Sequence, residues 1–267
     1  MHPIRFPQFG LECSIDPVAF TLFGKDIYWY GIIIAFGFAL AVLYATREAK
    51  RVGLGSDVLV DLILIGAPSA IVCARLYYVL FSWDYYSQHP WEIIAIWKGG
   101  IAIYGGLIGA FVSAAIYTKY KKIRLLPILD VVAPGFLLAQ GIGRWGNFIN
   151  QEAFGRPTSL PWRMELFLPE QNAYVAVHPT FLYESLWDLT GFVLLFALRK
   201  HKPFTGFLFY AYLLWYGLGR VWIEGLRTDS LYLGPLRVSQ WVAGGCVLVC
   251  GALIVWNLRR KKRISAS

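Results

Sequence analysis

The sequence predicts an all-α polytopic membrane protein with about seven transmembrane helices, a small extracytoplasmic head, an external N-terminus and a cytoplasmic C-terminus. Of the 267 residues, 57% are hydrophobic and only 15% are charged, whereas water-soluble domains carry about 25% charged residues. The mean hydropathy is +0.52. Apolar runs recur at the length of ~20 residues that crosses ~30 Å of hydrocarbon. These observations exclude a cytosolic enzyme and favour a single integral-membrane domain over residues 1–267.

Seven apolar runs are candidate spans. They cover residues 27–46, 58–81, 99–118, 126–148, 177–198, 204–225 and 238–258. Clusters of lysine and arginine follow the first, third, fifth and seventh runs, around residues 47–51, 119–124, 199–202 and 259–263. Because cytoplasmic loops are rich in these residues, the clusters predict the orientation. Residues 151–177 are too polar to span and are predicted to form the extracytoplasmic head.

The net charge of +9 does not indicate nucleic-acid binding, since a nucleic-acid reader needs a solvated basic surface and these basic residues lie between apolar runs. Cys13, Cys73, Cys246 and Cys250 have no metal-ligand or disulfide spacing. We expect neither a metal nor a cofactor. Residues 1–26 lack a continuous apolar core, so a cleavable signal peptide is not expected.

Three arginines, Arg75, Arg144 and Arg220, fall inside predicted spans. A guanidinium in hydrocarbon costs about 2.5 to 3.5 kcal/mol on insertion scales, which makes a functional role the default hypothesis. The alternative for each is a structural ion pair or a side chain that reaches the interface. Arginine binds phosphate through a planar, permanently charged fork. Two arginines at one depth therefore indicate an anionic ligand, and the natural phosphate at that depth belongs to a phospholipid.

The span directions place polar residues near the outer ends of six predicted helices. They are Tyr30, Arg75, Tyr104, Arg144, His178, Arg220 and Glu224. Random scatter would have placed some of them deep on the cytoplasmic side. The sequence therefore predicts one polar site in the outer half of the membrane.

The densest polar cluster lies where the fourth span leaves the membrane, in the sequence G-I-G-R-W-G-N-F-I-N-Q-E-A-F-G at 141–155. Its glycines allow close approach of a backbone or a ligand. Donors and acceptors come from Arg144, Asn147, Asn150 and Glu152. This cluster is the strongest candidate for substrate contacts.

Two helix faces also carry polar residues four apart. On the sixth span, Tyr216, Arg220 and Glu224 share one face, so that Glu224 can pair with Arg220. A buried pair that only fixes packing is the alternative. On the fifth span, Glu184 and Asp188 share a face that is expected to point into the bundle.

Tyr104 and His178 each have a second interpretation. Tyr104 lies within the glycine-rich sequence G-G-I-A-I-Y-G-G-L-I-G at 99–109, a pattern that usually marks close helix packing. A single histidine at a span entrance, such as His178, is more often an interfacial hydrogen-bonding residue than a catalyst.

Taken together, these motifs resemble those of the bacterial prolipoprotein diacylglyceryl transferase family over nearly the whole chain. The matching elements are W-Y-G at 29–31, the Tyr104 glycine motif, G-R-W-G-N-F-I-N-Q-E at 143–152, H-P-T-F-L-Y-E at 178–184 and Y-G-L-G-R-V-W-I-E at 216–224. The resemblance implies a seven-span enzyme of the bacterial inner membrane. Such an enzyme transfers the diacylglyceryl group of phosphatidylglycerol to the thiol of the lipobox cysteine in prolipoprotein signal peptides and releases glycerol phosphate.

The resemblance also implies roles for individual residues. The family's essential arginines match Arg144 and Arg220, and its other functional positions match Tyr30, Asn147, Glu152, Gly155, Tyr216 and Glu224. Many relatives have histidine where this chain has Tyr104, so the identity of the base stays open. We expect Glu224, Tyr104 or His178, in falling order of preference, to relay the thiol proton, and Arg75 and Asn150 to contact the substrate.

Two other functions are compatible with buried arginines. An anion channel or lipid transporter could use them as a filter, but it would need polar residues along the whole path and the cytoplasmic halves of the spans are nearly free of charge. A non-catalytic scaffold would tolerate apolar replacements of the arginines. A mass gain on a lipobox peptide incubated with phosphatidylglycerol would favour the enzyme.

Overall fold

The computed structural model describes residues 3–228 and 232–266, and most of them are helical. The helices are α1 (Trp29–Arg51), α2 (Ser56–Phe81), α3 (Trp83–Tyr86), α4 (Ile103–Tyr120), α5 (Leu125–Ile149), α6 (Thr180–Leu198), α7 (Phe207–Glu224) and α8 (Val238–Ala266), with short 3-10 turns at Pro7–Phe9, Pro90–Ile94 and Ile96–Lys98. The strands are β1 (Ile4–Phe6), β2 (Leu11–Cys13), β3 (Val18–Leu22), β4 (Lys25–Tyr28), β5 (Met164–Leu168), β6 (Ala173–Val177), β7 (Tyr232–Leu233) and β8 (Leu236–Arg237).

Each of the seven predicted apolar runs forms a long helix, which confirms the helical part of the prediction. Within the described ranges, five helices are long and apolar enough to cross a membrane, namely α1, α2, α5, α6 and α8. The two remaining long helices, α4 and α7, have 18 residues each. The protein is therefore a mostly helical membrane protein, and the count of seven spans stays a prediction.

The strands correct the all-α prediction. Strands β2, β1, β5 and β6 form a four-stranded sheet in that order, in which Arg5 of β1 pairs with Glu165 of β5. The sheet joins the N-terminal residues to the predicted head segment 151–177. Its apolar face packs on Phe148 of α5 and Phe181 of α6. The sequence pattern missed these strands because they have only three to five residues each.

The chain contains two compact units, one formed by residues 1–44 with 129–267 and the other by residues 45–128. In the second unit, α2 packs along α4. A Cβ at Gly105 would lie 2.4 Å from the carbonyl oxygen of Cys73, and one at Gly109 would lie 2.6 Å from the carbonyl oxygen of Ser69. The close-packing interpretation of the glycine motif at 99–109 is thereby confirmed. The prediction of a single domain over the whole chain stays a prediction.

Asp130 of α5 fixes the beginning of α7. Its buried carboxylate accepts hydrogen bonds from the backbone N–H groups of Gly206 (2.8 Å), Leu208 (2.9 Å) and Phe209 (3.2 Å), and from Lys202 Nζ (2.9 Å). A carboxylate at this end satisfies free N–H groups and opposes the positive end of the helix dipole. Residue 130 is thus a structural cap for α7.

Two tryptophans set the register between α6 and α7. Trp187 Nε1 donates a hydrogen bond to the carbonyl oxygen of Trp215, and Trp215 Nε1 donates one to the carbonyl oxygen of Trp187, each at 2.9 Å. The two indole rings also stack, with their centroids 4.4 Å apart. Gly191 and Gly219 make this possible, because a Cβ at either would lie within 2.5 Å of the facing indole. This reciprocal pair of hydrogen bonds fixes how α6 and α7 are aligned along each other.

Replacing Gly219 with alanine should destabilise this contact. The added Cβ would lie 2.3 Å from Trp187 Nε1, and overpacking of this kind costs about 1–3 kcal/mol. We expect the free energy of unfolding in detergent micelles to fall by about that amount. Gly245→Ala in α8 is the control, since nothing lies within 4 Å of its Cβ position and alanine favours a helix. Equal losses in the two variants would show that the tryptophan pair is not responsible.

Candidate active site

Five charged side chains, from α5, α6, α7 and the residues just after α7, form a network centred on Glu184. Arg144 Nη2 lies 2.5 Å from Glu184 Oε2, and Arg220 Nη1 lies 2.8 Å from Glu184 Oε1. Arg227 Nη1, just beyond α7, lies 3.8 Å from the same Oε1. Arg220 Nη2 also lies 2.5 Å from Glu224 Oε2, one turn along α7. Two arginines from different helices therefore converge on one carboxylate.

The network is shielded from solvent. Side-chain exposure is 5% for Glu184, 4% for Glu224, and 18–20% for Arg220 and Arg144. Removing charges from water is costly, and replacing such pairs with apolar residues often leaves a fold at least as stable. A buried network of this kind is therefore weak evidence for a stabilising role. Two forked guanidiniums aimed at one carboxylate have the geometry that also suits the oxygens of a phosphate.

The structure brings together three of the residues that the sequence singled out, Arg144, Arg220 and Glu224. Tyr216 lies beside them, since it lines a cavity of about 10 Å³ with Glu184 and Arg220. The structure therefore establishes that these residues lie close together, while their catalytic roles stay predictions.

Glu184 was not among the predicted site residues, although it ends the H-P-T-F-L-Y-E motif and shares a helix face with Asp188. Its importance depends on partners from α5 and α7. The pairing of side chains from helices that are distant in sequence cannot be derived from spacing along one helix. The sequence did offer one signal for Glu184: it is a carboxylate inside a predicted span of a chain that also has arginines inside its spans, and such residues usually pair.

The residues that follow α5 form a second set of contacts. Asn147 Nδ2 donates to Glu152 Oε1 at 2.9 Å, so these two predicted substrate-binding residues are partners of each other. Gly155 lies against His178, where a Cβ would come within 2.6 Å of the histidine Cβ, and forms an isolated bridge with Arg227. The absence of a side chain at Gly155 therefore lets this segment pass between His178 and the charged network.

Tyr30 and Asn150 line an open, mostly apolar cavity of about 630 Å³. The Tyr30 ring lies directly over Gly146 of α5, where a Cβ would be 2.6 Å from the ring. This explains one glycine of the G-R-W-G motif. Tyr30 and Asn150, both predicted to bind substrate, thus line the same cavity.

His178 lies just before α6, with Nδ1 3.3 Å from the hydroxyl of Tyr183. The same hydroxyl accepts a hydrogen bond from Trp162 Nε1 at 2.8 Å. Burial, together with the positive charge of Arg156, lowers the pKa of His178 below its ordinary value of 6.5. The imidazole is therefore neutral near pH 7, and one ring nitrogen is available to accept a proton or a hydrogen bond.

Arg75 and Tyr104 belong to the second compact unit. The Arg75 guanidinium donates to four carbonyl oxygens, those of Glu92 (2.5 Å), Ile93 (2.8 Å), Gly99 (2.7 Å) and Gly100 (2.7 Å). Arg75 thus fixes the connection between α2 and α4, a role that the substrate-binding prediction did not include. Tyr104, in the first turn of α4, is 37% exposed. The predicted functions of both residues stay predictions.

Comparison with known proteins identifies the relatives of this chain. A sequence model described as prolipoprotein diacylglyceryl transferase matches residues 17–256. A protein of Limosilactobacillus reuteri named phosphatidylglycerol–prolipoprotein diacylglyceryl transferase is 49% identical over 263 residues, which cover 96% of this chain and 95% of that protein. Two further proteins with the same name are also 49% identical to this chain. One is from Lysinibacillus sphaericus, and the match covers 94% of this chain and 96% of that protein. The other is from Bacillus velezensis, and the match covers 93% of both proteins.

The ionisation of His178 gives a test of this part of the site. Arg156→Gln removes the positive charge that acts on the imidazole, so the pKa of His178 should rise, while burial keeps it below 6.5. NMR titration of labelled histidine would measure the change. Arg163→Gln is the matched control, because Arg163 is paired with Glu165 at 3.5 Å, and it should leave His178 unchanged. An unchanged or lower pKa in Arg156→Gln would contradict the assignment.

Proposed function

The chain belongs to the prolipoprotein diacylglyceryl transferase family, and from that premise we propose how the arginine–glutamate network carries out the transfer. The protein is a membrane transferase of lipoprotein biosynthesis that moves the diacylglyceryl group of phosphatidylglycerol onto a prolipoprotein. The acceptor in our proposal is the thiol of the lipobox cysteine in the signal peptide. The second product is glycerol phosphate, and the step is the first of lipoprotein maturation.

The observation that carries this proposal is the convergence of Arg144 and Arg220 on Glu184, each within 3 Å. Two guanidiniums that reach a common carboxylate also reach a common phosphodiester. Each fork can hold two phosphate oxygens, and arginine stays charged even when it is buried. We place the headgroup of phosphatidylglycerol on these two side chains.

The reaction needs these charges at the moment of bond cleavage. The thiolate sulphur attacks a glycerol carbon, the carbon–oxygen bond to phosphate breaks, and its electron pair goes to the phosphate oxygen. Negative charge therefore grows on the oxygens that Arg144 and Arg220 hold. Donors fixed in advance around such a charge accelerate reactions by about 10²–10³ each. No covalent bond to the enzyme is required.

Glu184 and Glu224 keep the two arginines aimed. Both carboxylates are buried and contact Arg220 on two sides, which limits the rotamers available to its long side chain. Three groups remain candidates for relaying the thiol proton: Glu224 next to Arg220, the neutral imidazole of His178, and the hydroxyl of Tyr104. Tyr30, Asn147, Asn150, Glu152, Gly155 and Tyr216 are proposed to line the substrate path.

We further propose seven spans in the cytoplasmic membrane of a bacterium, with the site toward the extracytoplasmic side. The positive clusters in the last turns of α1 and α8, at the end of α4 and after α6 support this orientation. The four-stranded sheet is then the extracytoplasmic head, positioned to guide the signal peptide. The transporter alternative gains no support, because the buried arginines are paired with glutamates and the named relatives are transferases.

The arginine assignment predicts a large loss of activity on conservative substitution. Arg144→Lys and Arg220→Lys keep the charge but lose the fork, and each should lower kcat about 10²–10³-fold. The measurement is the mass gain of a lipobox peptide incubated with the enzyme and phosphatidylglycerol. Arg163→Lys, just before β5, is the control and should retain activity. Normal turnover of either network variant, in a protein that unfolds at the wild-type temperature, would reject the assignment.

Tyr104→Phe separates the candidates for the proton relay. It removes one hydroxyl at an exposed site and should leave folding intact. If Tyr104 carries the thiol proton, turnover falls and recovers as the pH approaches the thiol pKa of ~8.5. We expect full turnover at every pH, since Glu224 is the preferred candidate. A pH-dependent defect in Tyr104→Phe would reverse that order.

A further inference from the structure

Asp188 is a buried carboxylic acid that the proposed reaction does not use. It lies one turn after Glu184 on α6 and is 2% exposed. Glu184, in contrast, has both oxygens in contact with arginines. In the part of the chain that the structure describes, no ion pair includes Asp188, and its Oδ2 has no hydrogen-bond partner. Such a group is costly to bury in its charged form.

The charges around Asp188 come from three helices. Asp188 lines one small cavity with Glu184 of α6 and Arg220 of α7, and Arg144 of α5 contacts the same Glu184. The two arginines attract a negative charge on Asp188, whereas Glu184 repels it. Among the described residues, Tyr216 of α7 lines the same cavity, and Tyr212 lies one turn before it on α7. The two arginines that stabilise a carboxylate at Asp188 are therefore the same two that we propose to hold the lipid phosphate.

A phosphodiester on Arg144 and Arg220 would change this balance. It brings a second anion close to Asp188 and engages the two cations that offset the charge of the carboxylate. Like charges that share a buried site do not all stay ionised, and one of the groups takes up a proton. The phosphodiester is a strong acid and the glutamates are paired with arginines. Among the described acidic groups at this site, Asp188 is the one without such a pair.

We infer that Asp188 is a proton-binding site linked to the lipid site, and that it takes up one proton when the phosphodiester of phosphatidylglycerol binds to Arg144 and Arg220. This inference rests on the proposed function of the arginines. The affinity for the lipid should consequently fall as the pH rises, because at high pH binding must either capture a scarce proton or place two anions side by side.

The test is the affinity for short-chain phosphatidylglycerol, measured by calorimetry on the full-length protein in micelles over a range of pH. Phosphatidylglycerol is the suitable probe, since its phosphodiester does not titrate near neutrality. For the wild type, Kd should rise about tenfold per pH unit on the alkaline side, as uptake of one proton requires. Titrations in buffers with different heats of ionisation should report the same proton directly.

Asp188→Asn imitates the neutral acid and should bind the lipid with an affinity that does not change with pH. Asp188→Glu restores a carboxyl and should restore the pH dependence, which distinguishes proton binding from packing. Asp61→Asn is the control in the second unit, where Asp61 accepts a hydrogen bond from Tyr117, and it should behave as the wild type. If Asp188→Asn does not fold, the wild type and Asp188→Glu still decide the question through their buffer dependence.

Two results would overturn the inference. One is a wild-type affinity that is independent of pH, without proton uptake. The other is an Asp188→Asn variant that keeps the wild-type pH dependence. Failure of the proposed function would look different, because Arg144→Lys and Arg220→Lys would then bind phosphatidylglycerol as tightly as the wild type.

Discussion

The contact of Arg144 and Arg220 with the single carboxylate of Glu184 is the interaction on which this structure depends. Arginine inside a membrane is costly unless a partner or water meets its charge. Here one glutamate meets two arginines from different helices, which fixes both guanidiniums at one place. In the proposed mechanism this arrangement preorganises the site, because both guanidiniums are already oriented before the anionic lipid binds.

The rest of the helix packing serves this alignment. The reciprocal hydrogen bonds of Trp187 and Trp215 set the register of α6 against α7. Glu184 lies three residues from Trp187, and Arg220 lies five residues from Trp215. Asp130 fixes the beginning of α7. Gly155, which has no side chain, brings the segment after α5 against His178 and Arg227. Small residues and polar caps are thus placed where they determine the positions of charged groups.

Much of this could be predicted from the sequence. Apolar runs of sufficient length predicted all seven long helices, because a continuous run of about 20 apolar residues is long enough to form a helix that crosses a bilayer. Arg144, Arg220 and Glu224 were predicted to act together, because charges in apolar runs are rare and four-residue spacing defines a helix face. The glycine motif around Tyr104 was predicted to allow close packing, and α4 does approach α2 through Gly105 and Gly109.

Other features could not be predicted, for identifiable reasons. The four-stranded sheet combines very short strands from distant parts of the chain, and neither part has enough alternation to predict a strand. The role of Glu184 depends on the packing of α5 and α7 around α6. Arg75 donates to carbonyl oxygens, which every residue has and no sequence pattern reveals. Contacts between distant segments thus account for what the sequence did not predict.

The most direct test of the account is to measure whether the lipid phosphorus contacts these arginines. Solid-state NMR of 15N-arginine-labelled protein in nanodiscs with phosphatidylglycerol can detect dipolar coupling between 31P and guanidinium nitrogens. The account predicts coupling in the wild type that disappears when Arg144 and Arg220 are both replaced by lysine, with the protein still folded. Coupling of equal strength in that double variant would contradict it.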